Sequence, residues 1–354
     1  MAKIVLAGGS GFIGQLLSHH FLAKGDEVVI LTRKPAAWQT PARQIYWDAT
    51  GPGPWVQHLE RADVLINLTG KSVNCRYTQK NKQEIIFSRV NATQALGDAV
   101  RQLQRPPRLW INASSATIYR HAQDGPQDEL TGEIGTGFSV EVCGKWENAF
   151  YAQHTPGTRK IALRLAIVLA NEGGVMPYYL NLARLGLGGR QGNGLQCFSW
   201  IHARDVISGI EFLMQHEELE GDFNLSSPRP VPNHHFMQTL RQALGISFGL
   251  RARKWMLEIG AWLLRTETEL LLKSRWVVPT RLQQSGYQFQ VRTIEEAVRL
   301  CLPAKEAVPV LSPKFEKQPQ KGKDLSYSLA SSNVQTSTYE KDLPYRRMAQ
   351  THHR

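Results

Sequence analysis

The chain has 354 residues, of which 42% are hydrophobic and 20% charged, and this composition suits one large folded unit with a smaller attachment. The formal net charge of +12 suggests nucleic acid, but residues 305–354 hold nine Lys/Arg against five Asp/Glu, and the other basic residues make neither a basic helix nor an aromatic RNA-binding motif, so nucleic acid is not an expected partner. Four widely spaced cysteines make no metal-ligand pattern, and no apolar run is long enough to cross a bilayer, so neither a metal nor a membrane is expected.

The first apolar run, Ile4 to Leu6, leads into Ala7-Gly8-Gly9-Ser10-Gly11-Phe12-Ile13-Gly14 and then into a helical pattern. Gly9, Gly11 and Gly14 have the G-x-G-x-x-G spacing. One glycine permits the tight turn, one lets the backbone approach a pyrophosphate, and one lets helix and strand pack closely. The helix beginning near Gly11 would offer its N–H groups and dipole to the phosphates. Gly8, Ser10, Phe12 and Ile13 complete this expected dinucleotide loop. The chain enters its first strand at once, with no basic and apolar leader, so a cytoplasmic protein is expected.

The second run, Val28 to Leu31, ends in Thr32-Arg33-Lys34, where an adenosine ribose would lie. A carboxylate there suits the ribose 2′-hydroxyl of NAD(H), whereas Arg33 and Lys34 suit the 2′-phosphate of NADP(H). NADP(H) is therefore the expected cofactor ahead of NAD(H). Further runs at Ile45 to Trp47, Val64 to Leu68, Leu109 to Ala113 and Ile161 to Leu165 are separated by helical stretches. That alternation predicts an α/β fold with a Rossmann-type doubly wound parallel sheet.

After about Leu169 the rhythm loosens into the stretches Gly186 to Gly192 and Ser226 to Pro230. The expected division is a dinucleotide-binding domain over 1–168, to which later segments can return, and a smaller substrate lobe over 169–302. Within that lobe Trp255 to Leu272 reads as an amphipathic helix. From 303 to 354 the aperiodic Pro, Ser, Gln and Lys composition predicts a disordered basic tail.

With the glycine loop placed, other segments resemble the extended short-chain dehydrogenase/reductases. Asp48 follows the third strand, where that family contacts adenine. Asn67-Leu68-Thr69-Gly70 closes the fourth near the adenine ribose, and Ser114-Ser115-Ala116-Thr117-Ile118-Tyr119 resembles the active-site serine segment, with Ser115 matching the serine. The pieces Ser88-Arg89-Val90, Val142-Cys143-Gly144-Lys145-Trp146-Glu147, Phe198-Ser199-Trp200-Ile201-His202, Phe223 to Pro228 and Val278 to Leu282 resemble a narrower, atypical group. This is the SDR39U1-like or YfcH-like group of the NAD-dependent epimerase/dehydratase family. The resemblance covers residues 1 to about 302, with the group's small C-terminal unit beginning near 248.

The resemblance implies hydride transfer, but the usual Tyr-x-x-x-Lys pair is missing. Setting Glu147 on the glutamate that ends the family's helix places Ser139 at the tyrosine and Cys143 at the lysine. Lys145 is two residues further on, about 200° around the helix and on the opposite face. Ser115, Tyr119 and Cys143 remain as candidate catalytic residues, the last as a thiol acid or a small packing residue. Arg190, in its glycine-rich loop, is a candidate for an anionic substrate or cofactor phosphate. His202 is a candidate substrate contact, or a cap on the helix of Asp205. The expected function is that of an NADP(H)-binding epimerase-family oxidoreductase on an unknown small molecule. A noncatalytic NADP(H)-responsive protein is the alternative, and a homodimer is one arrangement open to either.

Overall fold

The computed structural model describes residues 1–252, 255–256, 258 and 273–303. Its centre is a seven-stranded, wholly parallel sheet formed by β1 (Lys3–Ala7), β2 (Glu27–Thr32), β3 (Arg43–Tyr46), β4 (Val64–Asn67), β5 (Leu109–Ser115), β6 (Arg159–Leu165) and β10 (Gly221–Leu225). The order is β10-β6-β5-β4-β1-β2-β3. Between β6 and β10 the chain makes short strands β7 (Ile167–Leu169), β8 (Cys197–Phe198) and β9 (Trp200–His202), and β11 (Val231–Pro232) follows β10.

The inner strands are mostly apolar because both faces are covered, with Asn67, Asn112, Ser114 and Arg164 among their buried polar residues. On one face Ile4, Leu6, Ile30, Ile66, Ile111 and Leu163 pack against Leu17 and Phe21 of α1 (Phe12–Ala23) and against Val206, Ile210 and Leu213 of α5 (Ala203–Gln215). On the other, Val5, Val29, Leu65 and Trp110 pack against Ala92 and Leu96 of α2 (Gln79–Gln102) and Phe150 of α3 (Phe138–Tyr151). Edge strand β3 has no fully buried residue. β1 pairs with both β2 and β4, so chain direction across the sheet reverses between β1 and β4. Ligands of such sheets bind outside the carboxyl ends of the strands at that switch point.

A second core joins Phe198 and Trp200 to α4 (Met176–Arg184), α6 (Asn233–Ala243) and the helix Ile294–Leu300, with Phe198 and Phe236 stacked at 4.3 Å. Asp205 fastens the later segment to α5, accepting from the N–H groups of Gln290 and Val291 and from the Tyr287 hydroxyl. Of the expected amphipathic helix over Trp255 to Leu272, only Trp255, Met256 and Glu258 are among the described residues. Of the expected tail only Pro303 is described. Among the described residues, no helix is long and apolar enough to cross a membrane.

Candidate functional site: a cleft at the carboxyl ends of β1, β4 and β5

A cleft of about 470 Å³ opens where the sheet reverses, and its walls come from the β1–α1 turn, the β4–α2 segment, the end of β5 and one face of α3. The glycine turn is built by close approach. Gly8 takes φ +75°, a left-handed conformation costly for any residue with a Cβ. A Cβ on Gly14 would lie 2.3 Å from the carbonyl oxygen of Gly9, so the helix can seat on the turn only with glycine there. A Cβ on Gly11 would meet only the Gly8 oxygen, at 3.7 Å, which leaves this backbone open to the cleft. Gly11 is also the N-cap of α1 and supplies no side-chain acceptor. The N–H groups of the first turn, at Phe12, Ile13 and Gly14, are thus available to an anion.

Beside this turn Thr32 is buried and its hydroxyl donates to Ser10 Oγ at 3.1 Å, bracing the loop. Arg33 and Lys34 follow as exposed side chains. Asp48 is also exposed, and its carboxylate accepts the Thr50 N–H at 3.0 Å, which holds its pKa below the ordinary value. Leu68 and Gly70 line the cleft. Asn67 works behind them: fully buried, it donates to Asn112 and Thr93 and accepts the N–H of Thr69.

At the other end, Ser115 lines the cleft, and its hydroxyl donates to Thr117 Oγ1 at 3.1 Å. Thr117 also lines the cleft and accepts from Arg275 Nε at 3.2 Å. Ser139, Val142, Cys143 and Trp146 form the α3 wall, as helical spacing requires. The positions matched to the family's tyrosine and lysine therefore do face the cleft, carrying a hydroxymethyl and a thiol. The Cys143 thiol is pushed up to about 12, first by burial and then by the Glu147 charge, which leaves it neutral at physiological pH. Lys145 lies on the outer side of the helix in an ion pair with Glu141 at 2.6 Å.

Of the five catalytic and substrate candidates, Tyr119, His202 and Arg190 are not among the residues that line the cleft. Tyr119 is buried, donating to Asn224 Oδ1 and accepting from Arg164 Nη1, both at 3.0 Å. Burial raises its pKa to about 12, despite the opposing effect of Arg164. His202 caps α5, its Nδ1 accepting the Arg204 N–H at 3.2 Å, and burial lowers its pKa to about 4. It is neutral and away from the cleft. Arg190 is exposed on a loop whose backbone bonds to Ala252.

Behind α3 a buried network fixes the helix to the sheet. Glu147 accepts from Ser114 Oγ at 2.6 Å and from Nε and Nη2 of Arg164, while Arg164 Nη2 also reaches Asp222 at 2.7 Å. Sequence reasoning missed the role of Arg89 in the cleft wall. Its signal was a charge four residues after Ile85 and three before Ala92, on the otherwise apolar face of α2.

The geometry agrees with what the chain resembles. Residues 4–226 match the NAD dependent epimerase/dehydratase family, and residues 254–300 match a domain of unknown function, DUF1731. The human epimerase family protein SDR39U1 is 30% identical over 302 residues, covering 84% of this chain and 98% of that protein. The epimerase family protein ML0860 of Mycobacterium leprae is 31% identical over 298 residues, covering 84% and 94%. The crystal structure of human SDR39U1 (isoform 2) with NADPH superposes with a TM-score of 0.74 at 28% identity, covering 84% of this chain and 97% of that one. With a Rossmann-type sheet, an open glycine turn at its switch point and a family match over most of the described fold, this chain belongs to the NAD dependent epimerase/dehydratase family as an NAD(P)-binding protein related to SDR39U1.

Proposed function

We propose that the chain binds NADP(H) in this cleft and acts as an oxidoreductase on a small molecule. The observation that carries the reading is the open backbone at Gly11 with the uncapped first turn of α1, facing the same cleft as Ser115. Gly11, Phe12, Ile13 and Gly14 would hold the pyrophosphate, and exposed Arg33 and Lys34 the 2′-phosphate. The human relative's crystal structure with NADPH supports a dinucleotide in this cleft. A bound nicotinamide supplies a hydride donor or acceptor. Ser115, held by Thr117, would orient a carbonyl or hydroxyl at the end of β5. The proton must then pass through water or the substrate itself, because Ser139 and Cys143 stand where an activated tyrosine and its lysine would be.

That substitution also favours a second reading, a noncatalytic protein whose cofactor occupancy alters a partner contact. Titrating NADPH and NADH into the protein, then assaying NADPH oxidation with a panel of carbonyl compounds, separates the two. The oxidoreductase reading expects turnover that Ser115→Ala lowers about tenfold or more. Tight binding with no turnover across the panel supports the second reading, and binding of neither dinucleotide overturns both. Arg33→Ala should weaken NADPH about tenfold, the scale of one charge-assisted hydrogen bond, with little change for NADH. Equal losses would remove the case for 2′-phosphate recognition.

A further inference from the structure

Among the described residues that line the cleft, Arg89 alone carries a charge, and no carboxylate faces it. A cation in a confined site calls for an anion, because burial without a counter-charge is costly. The protein holds this guanidinium without supplying one. Nη1 donates to the carbonyl oxygens of Lys71 at 3.0 Å and Ile85 at 2.9 Å, and the guanidinium carbon lies 5.0 Å from the centre of the Trp146 ring. That ring is itself fixed, with Trp146 Nε1 donating to Thr93 Oγ1 at 3.1 Å, and Thr93 Oγ1 donating to the Arg89 carbonyl at 2.8 Å. Gly70 makes the space: a Cβ there would come within 2.8 Å of the guanidinium carbon.

The donor count points the same way. An arginine offers five N–H donors, and both protein bonds of this guanidinium use Nη1, leaving Nη2 and Nε for a ligand. Desolvation lowers the pKa of Arg89, as expected of a cation partly withdrawn from water, yet a guanidinium remains charged. Two uncommitted donor groups in one plane match the paired oxygens of a carboxylate or phosphate. The contacts of Arg89 lie on α2, α3 and the β4–α2 segment, not on the glycine turn expected to hold the pyrophosphate.

We infer that Arg89 is a substrate-binding residue and that the cleft takes a small molecule bearing a carboxylate or phosphate group, which pairs with its guanidinium. The inference rests on the NADP(H) reading only for calling that molecule the substrate. The anion site itself does not need the cofactor, so the two can fail separately.

The test is calorimetric titration of inorganic phosphate and of malonate into the protein alone and into the NADPH-loaded protein, for wild type, Arg89→Gln and Arg89→Lys, beside an NADPH titration of each. The expected result is saturable binding of at least one anion to wild type in both states, weakened about tenfold or more by Arg89→Gln, and an NADPH affinity unchanged within about twofold. Arg89→Lys, which keeps the charge but loses the fork, should retain part of the anion affinity, and it serves as the test if the glutamine variant does not fold. Gly70→Ala should weaken the anion as Arg89→Gln does, because it displaces the guanidinium. Anion binding that is equal in wild type and both Arg89 variants, or absent from wild type in both states, overturns the proposal. So does an NADPH affinity that falls with Arg89→Gln as far as the anion affinity does, since Arg89 would then belong to the cofactor. Failure of wild type to bind NADPH while the Arg89-dependent anion binding persists would overturn the cofactor reading and leave the anion site standing.

Discussion

The two ends of the cleft are built on different principles. At the glycine turn the working groups are backbone: a left-handed Gly8, an open Gly11 and a Gly14 that admits no Cβ, all within seven residues. At the β5–α3 end the working groups are side chains, and what they do depends on partners from distant parts of the chain. The first end carries what a dinucleotide needs, whereas the second presents Ser139 and the neutral Cys143 thiol on its α3 wall. Binding and chemistry in one cleft are therefore separable, since one rests on chain geometry and the other on side-chain electrostatics.

The sharpest way to break this contrast is through the network that holds α3. Glu147→Gln leaves Arg164 without its main buried counter-charge and should cost about 3–5 kcal/mol of stability in denaturant unfolding. NADPH affinity, measured below the transition, should change less than about threefold, because that network lies behind the β5–α3 end. A comparable loss of both would mean that the two ends are not independent.

The next test uses pH. No histidine or carboxylate lines the cleft among the described residues, so an acid response must originate elsewhere, and His202 is the clearest source. Its folded pKa is depressed to about 4, below the ordinary value near 6.5. Between those values the unfolded chain binds a proton that the folded chain does not, so stability rises with pH. The contribution is complete above about 6.5 and is lost as pH falls toward 4, amounting to about 2–3 kcal/mol between pH 7.5 and 4.5. His202→Asn keeps a helix-capping side chain and should flatten that part of the pH profile of urea unfolding. An unchanged profile would place the acid response on other groups.

The smallest expected effect sharpens the other side of the comparison. Gly14→Val forces a Cβ against the Gly9 backbone and should lower NADPH affinity about 10- to 100-fold, as overpacking of about 1–3 kcal/mol would. Fluorescence titration measures it, and circular dichroism verifies that the sheet survives. An affinity unchanged from wild type would show that the turn does not form the cofactor site.

Legibility in the sequence divides along the same line. The apolar runs were readable because parallel strands are covered on both faces, so burial appears directly as composition. The outward direction of Lys145 was readable because a two-residue offset on a helix has one geometric meaning. Tyr119 looked available because it follows the serine strand, yet its hydroxyl is taken by Arg164 and Asn224, which are 45 and 105 positions away. Arg89 drew no attention as a site residue, since only the fold sets its guanidinium against Gly70 and Trp146.

From the sequence by itself came the order of strands and helices and the glycine turn, both properties of neighbouring residues or of simple periodicity. The tertiary structure alone decided that the Tyr119 hydroxyl and the His202 ring are buried among partners outside the cleft lining, that the Cys143 thiol stays neutral, and that among the described residues Arg89 is the charged side chain of that lining. The reason is physical: a side chain's protonation and its capacity to bind depend on desolvation and on hydrogen-bond partners, and folding draws those partners from remote positions in the chain.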